Sequence, residues 1–178
     1  MSGGARFPRG GESMPPSRLV ATVLGVGLLR PGPGTWGSLA ALPLALALHV
    51  AGGPVLLIVA GLAVFAAGYW ATGAEHARTG AEDPGEIVVD EVVGQWLALL
   101  PVSLGAAHVG APVTALWPGW IAAFVLFRLF DIAKPGPVGW ADRRGDTTGV
   151  MLDDVFAGAL AGVGVVILAA LAHLVLLS

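Results

Sequence analysis

The chain has no cysteine among its 178 residues. That absence excludes a disulfide framework, a zinc-thiolate centre and a cysteine nucleophile together, so any chemistry runs on oxygen, nitrogen or a bound metal. Charge is scarce as well: Asp, Glu, Lys and Arg make up 12% of the chain, against about a quarter in soluble domains. A net charge of −3 without any basic run offers nothing to nucleic acid. What the chain does have is hydrocarbon. Hydrophobic residues reach 56% and mean hydropathy +0.81, more apolar surface than one small domain can hide from water. The natural solvent of such a chain is a bilayer.

Residues 1–18, rich in Gly and Pro, read as a disordered tail without the apolar core of a cleaved signal peptide, and 19–178 as one membrane domain. Leu19–Leu29 is apolar but too short to span, so it is expected to lie at the interface or re-enter. Five longer apolar runs follow: Leu39–Val50, Val55–Tyr69, Val92–His108, Val113–Phe127 and Val155–Leu177. The expected fold is an all-α polytopic bundle of five spans, with four as the alternative.

The charges divide these runs unevenly. Every Lys, Arg, Asp and Glu lies in the tail, in Arg30–Ser38, in the loop around Ala71–Glu91, or between Arg128 and Asp154. The connections His49–Pro54 and Ser103–Thr114 carry none. Charged loops alone would not explain charge-free alternate loops. With five spans, parity puts all charged segments on one side, which the positive-inside rule makes cytoplasmic.

Three charged segments abut apolar helices. Asp90 and Glu91 open the third run, and Asp153 and Asp154 open the last; helix-dipole stabilisation alone could be had a turn earlier, in water. Each pair has a glycine four residues on, Asp90 to Gly94 and Asp154 to Gly158, so each acid stands above a point where a second helix can come close. Packing there would bring the pairs together. Arg128, Asp131 and Lys134 are spaced by three and share a helix face before Pro135 ends it. In isolation they form an ion-pair ladder; beside two acid pairs they suit a hard cation and a phosphate. The Arg30–Ser38 loop adds Gly34 and Gly37, where backbone can approach an anion, and the hydroxyls of Thr35 and Ser38. The four histidines lack ligand spacing and are assigned to no site.

Four motifs, Pro33-Gly-Thr35-Trp-Gly-Ser38, Ile87-Val-Val-Asp90-Glu91-Val-Val-Gly94, Phe127-Arg128-Leu-Phe-Asp131-Ile-Ala-Lys134-Pro135-Gly-Pro137 and Gly149-Val-Met-Leu-Asp153-Asp154-Val-Phe-Ala-Gly158, stand in the order of one family. Together they resemble phosphatidylglycerophosphatase A from about Leu24 to the last helix. The resemblance implies a magnesium-dependent enzyme of phospholipid biosynthesis in the bacterial inner membrane. It would convert phosphatidylglycerophosphate to phosphatidylglycerol, with the membrane lipid as its partner. One stretch departs from the pattern: Arg143-Arg144-Gly-Asp146-Thr147-Thr148-Gly149 stands where the family often has His-Gly-Gly, and a different rate or substrate range is expected if that stretch positions phosphate or water.

On this reading Asp90, Glu91, Asp153 and Asp154, with or without Asp131, hold one or two Mg²⁺. Arg128 and Lys134 balance phosphoryl charge, and Gly34, Thr35, Gly37 and Ser38 hold phosphate oxygens. Asp131 as a covalent nucleophile is the mechanistic alternative. A small ion-binding or transport protein is the functional one, disfavoured because transport needs charge near the midplane.

Overall fold

The structure, a computed structural model, describes residues 14–80 and 84–176. They form six α-helices: α1 Pro16–Ala21, α2 Pro33–Thr79, α3 Val89–Val109, α4 Trp117–Ala133, α5 Pro137–Asp142 and α6 Thr147–Leu176. No strand occurs among the described residues. Residues 1–13 of the expected tail lie outside them. Pro16–Arg18, the end of that expected tail, are helical.

Four helices are long and apolar enough to cross a bilayer: α2, Val113–Ala133 containing α4, α3 and α6. At 47 residues α2 would extend roughly 70 Å if straight, far more than a bilayer core of about 30 Å. It is not straight. Gly52 and Gly53 leave helical geometry, Gly53 with a φ of 63° that favours glycine, and Pro54 follows. The chain reverses there, because Gly37 and Gly68, on opposite sides of the break, both pack against the start of α3: Gly37 on Val88, Gly68 on Val89. The two legs of α2 are therefore antiparallel, and the bundle has five apolar segments, as the hydropathy runs indicate.

The hairpin fixes the two ends of the bundle. Its open end gathers the starts of α2, α3 and α6 and the finish of α4. The opposite end holds the Gly52–Gly53 reversal and the hydrogen bond between His49 Nδ1 and Ser103 Oγ, at 2.6 Å. Among the described residues every Asp, Glu, Lys and Arg lies on elements at the open end. The end of α1 and the short segment after it dock there too: the Ala21 carbonyl accepts from Val88 N at 2.9 Å, and Gly27 abuts the Glu86 carbonyl. This agrees with an interfacial rather than a spanning role.

The core is built from small residues, as lipid-solvated helices require because hydrocarbon gives no push toward association. Ala41, Ala45, Ala98, Ala157 and Ala161 are buried around Leu99 and Phe127. Trp96 Nε1 donates to the Ala41 carbonyl at 2.9 Å, pinning α3 to the first leg of α2. Large apolar side chains such as Leu62, Val125 and Leu171 face outward.

Candidate active site

The site is made by one helix crossing. A methyl placed on Gly158 of α6 would run into the Gly94 carbonyl of α3, and one on Gly94 would stand 2.6 Å from the Asp154 carbonyl. Only two glycines allow this approach. One turn away on α3 sits Asp90, and Asp154 precedes Gly158 by a turn, so the crossing brings the two acid pairs together as their glycine spacing implies. Oxygens of Asp90, Glu91 and Asp154 lie within 4.8 Å of one another; so do those of Asp131, Asp153 and Asp154. Asp154 belongs to both groups.

The position of the second pair differs from expectation. Asp153 and Asp154 do not open α6, which begins at Thr147. Asp146 caps it, its Oδ1 accepting from Gly149 N at 2.7 Å, so a further turn and a half of helix precedes the acids. The Arg144 guanidinium, 2.9 Å from Asp146 Oδ2, and the Gly149 amide hold the Asp146 carboxyl below its usual pKa. Within the pairs, Asp90 Oδ1 accepts from Glu91 N at 3.0 Å and Asp153 Oδ1 from Asp154 N at 2.9 Å.

The ladder on α4 is present and reaches beyond its own helix. Arg128 Nη1 lies 2.7 Å from Asp131 Oδ2, and Lys134 Nζ 3.4 Å from Asp131 Oδ1. Lys134 Nζ also lies 2.5 Å from Asp153 Oδ2 and 3.1 Å from Asp142 Oδ1. Burial by itself would lower the Lys134 pKa, but the Asp153 hydrogen bond and the charges of Asp153 and Asp131 outweigh it and raise it. The residue ends α4 in a left-handed conformation with φ 50°, unusual for a side chain larger than glycine, and its ammonium lies among three carboxylates.

The first turn of α2 contributes unequally. Gly34 to Ser38 are helical rather than loop, because Pro33 supplies a preset φ at the first helical position after the left-handed Gly32. Gly34 is a contact residue: a methyl there would run into Glu91 Oε1 and stand 3.2 Å from Arg128 Nη1. Ser38 Oγ donates to the Gly34 carbonyl at 2.8 Å and accepts from Arg128 Nη1 at 3.5 Å. Gly37 instead serves packing against Val88. The Thr35 hydroxyl bonds none of the acids or cations among the described residues.

These groups surround a cleft of about 140 Å³ lined by Asp90, Glu91, Asp131, Lys134, Asp142, Asp153 and Asp154, with Gly85, Ile87, Gly145 and Val150. Asp142 was not visible from spacing, since the Pro135–Gly136 turn separates it from Lys134. The departing Arg143–Gly149 stretch is used for docking: Thr147 meets His76 at 3.1 Å and Thr148 meets Tyr69 at 3.0 Å. Only Gly145 of that stretch reaches the cleft. The acids outnumber the cations, and Glu91 Oε2 and Asp154 Oδ1 are buried without a hydrogen-bond partner. Such an all-oxygen set, short of compensating charge, fits a hard divalent cation.

A helical membrane bundle with carboxylates, Arg and Lys gathered at one end defines an enzyme of the lipid–water boundary. The family follows from comparison. A model of the phosphatidylglycerophosphatase A family matches residues 19–169, and the chain belongs to that family. It is 37% identical over 148 residues to the phosphatidylglycerophosphatase A of Haemophilus influenzae, covering 82% of this chain and 84% of the relative. The protein of the same name from Escherichia coli K12 is 34% identical, covering 82% and 78%. A Bacteroides thetaiotaomicron protein, provisionally named a phosphatidylinositol-3-phosphatase, is 39% identical, covering 79% and 85%. No solved structure matches.

Proposed function

We propose that this protein hydrolyses phosphatidylglycerophosphate to phosphatidylglycerol and inorganic phosphate, with Mg²⁺, at the cytoplasmic face of a bacterial inner membrane. The observation that carries the reading is the meeting of acids from α3, α4 and α6 with Lys134 in one cleft at the end of a lipid-facing bundle, Arg128 being paired with the cleft's Asp131. Family membership supplies the reaction. The cytoplasmic assignment rests on the Lys and Arg gathered at that end.

Asp90, Glu91, Asp131, Asp153 and Asp154 would hold the cation, Asp154 being common to both acid groups. When bound, Mg²⁺ supplies Lewis acidity to a phosphoryl oxygen and lowers the pKa of water. The protein's own groups do the rest. Arg128, paired with Asp131 and donating to Ser38, would supply positive charge beside a bound phosphate. Lys134, its pKa raised, remains an ammonium and serves as positive charge rather than base. Asp131 accepts from both cations and so links Arg128 to the cleft that Asp131 and Lys134 line. With both oxygens so engaged its nucleophilicity is reduced, which favours direct hydrolysis over the covalent route.

The Bacteroides relative's name concerns another phosphate monoester on a lipid headgroup, so the test compares substrates. Purified protein in detergent with Mg²⁺ is expected to release phosphate fastest from phosphatidylglycerophosphate, more slowly from phosphatidylinositol 3-phosphate, and roughly 100-fold more slowly still from soluble glycerol phosphate. Equal turnover of the soluble compound would remove the interfacial reading. Phosphate release from no lipid would return an ion-binding role to first place.

A further inference from the structure

The five acids assigned to the cation divide by what already engages their oxygens. Asp131 is taken on both, Oδ2 by Arg128 at 2.7 Å and Oδ1 by Lys134 at 3.4 Å. Asp153 is taken likewise, its Oδ2 by the Lys134 ammonium at 2.5 Å and its Oδ1 by the Asp154 backbone amide at 2.9 Å. Neither keeps an oxygen without a partner. Two cations face these two carboxylates, so their charge is already offset.

Asp90, Glu91 and Asp154 are placed differently. Among the described residues none of the three takes part in an ion pair. Glu91 Oε2 and Asp154 Oδ1 are buried without a hydrogen-bond partner, and Asp154 as a whole is only 3% exposed in the cleft it lines. Oxygens of the three lie within 4.8 Å of one another. Carboxylates gathered so closely, out of water and without an ion-pair partner, call for a cation of higher charge.

Asp131, Asp153 and Asp154 have the oxygen spacing of a second metal site, but that group already holds a cation. Lys134 reaches Asp131 and Asp153 from the end of α4, and Asp142 of α5 takes the same ammonium at 3.1 Å. Its three donors are thereby matched by three carboxylates. A divalent ion drawn to the same oxygens would meet the ammonium's charge at close range, where water screens little of it.

We infer that Lys134 stands in for a second metal, so that the site binds a single divalent cation through Asp90, Glu91 and Asp154 while the ammonium fills the group of Asp131 and Asp153. The inference rests on the metal-dependent reading above and narrows it, making Asp153 a positioning residue for Lys134 and not a ligand.

The test uses Mn²⁺, which suits the same carboxylate ligands as Mg²⁺ and is visible by electron paramagnetic resonance. Full-length protein in detergent, stripped with EDTA and desalted, is titrated with Mn²⁺. The wild type is expected to bind one ion per chain, with the spectrum of an isolated ion. Lys134→Met removes the ammonium and should bind two, the second ion broadening the spectrum of the first because both groups share Asp154. Lys134→Gln should do the same and guards against a folding defect peculiar to methionine. Asp154→Asn should weaken the single wild-type site roughly 100-fold, and Asp153→Asn much less. Two ions in the wild type, one ion in both Lys134 variants, or equal weakening by Asp153→Asn and Asp154→Asn would each overturn the inference. The wild-type count and the Asp153 and Asp154 contrast decide it even where neither Lys134 variant folds. Phosphate release on the same samples separates the two readings: two ions bound with release that EDTA abolishes refutes the stand-in alone, whereas no bound ion with release that EDTA leaves intact removes the metal reading and the stand-in with it.

Discussion

Asp154 is the carboxylate on which the two acid groups meet, within 4.8 Å of Asp90 and Glu91 on one side and of Asp131 and Asp153 on the other. Its Oδ1 is buried and unbonded, so removing its charge disturbs no hydrogen bond of that atom. Asp154→Asn is therefore expected to insert and fold while losing roughly 10²–10³ in turnover. Asp90→Asn, Glu91→Gln and Asp153→Asn should each lose activity as well, with a raised Mg²⁺ requirement in at least one of each pair. Near-normal phosphate release from all four variants would reduce the acids to helix caps. Gly34→Ala offers a different residue-scale test, since its methyl would displace Glu91 Oε1 and press on Arg128. It should lower turnover without touching any charge, whereas Gly37→Ala should chiefly lower thermal stability by pushing Val88. The acids and the ladder were legible because charge beside an apolar run is costly and so conspicuous. Asp142 was not, because a turn destroys the helical spacing that relates Arg128, Asp131 and Lys134.

Helix α6 meets α3 at Gly94 and Gly158, and the glycine four residues after an acid in each segment was enough to foresee the contact. The start of α6 was not foreseen. Asp146 looks like one more loop charge until its carboxylate is seen accepting from Gly149. Asp146→Ala should lower the thermal midpoint, and Asp146→Asn, which keeps a capping oxygen, should lower it less. If both behave alike, the Arg144 ion pair rather than the cap is what counts. At the crossing itself, Gly158→Ala forces the backbones apart and is expected to cost about 1–3 kcal/mol, with activity falling further than stability because the acid pairs separate. Full activity in Gly158→Ala, assayed by phosphate release, would mean that the crossing does not set the site.

Across the whole molecule, the reversal at Gly52–Gly53 turns one 47-residue helix into two antiparallel legs and sends every described charge to one end. Parity of the hydropathy runs, together with the charge-free connections, made that end predictable; the docking of Leu19–Leu29 against Val88 needed three dimensions. Reporters fused near Gly53 and Gly110 should lie on one side of the membrane and those near Gly80 and Gly145 on the other, the latter cytoplasmic. Finding Gly80 and Gly145 on opposite sides would dissolve the shared cleft. The central claim is that the clustered carboxylates at this end form a metal-dependent lipid phosphatase site. Phosphate release from phosphatidylglycerophosphate by the purified protein, followed through EDTA treatment and Mg²⁺ titration, tests it most directly. Activity should vanish with EDTA and return in full with Mg²⁺ for the wild-type protein, but not for Asp154→Asn at the same Mg²⁺ concentration; undiminished turnover in EDTA would contradict it.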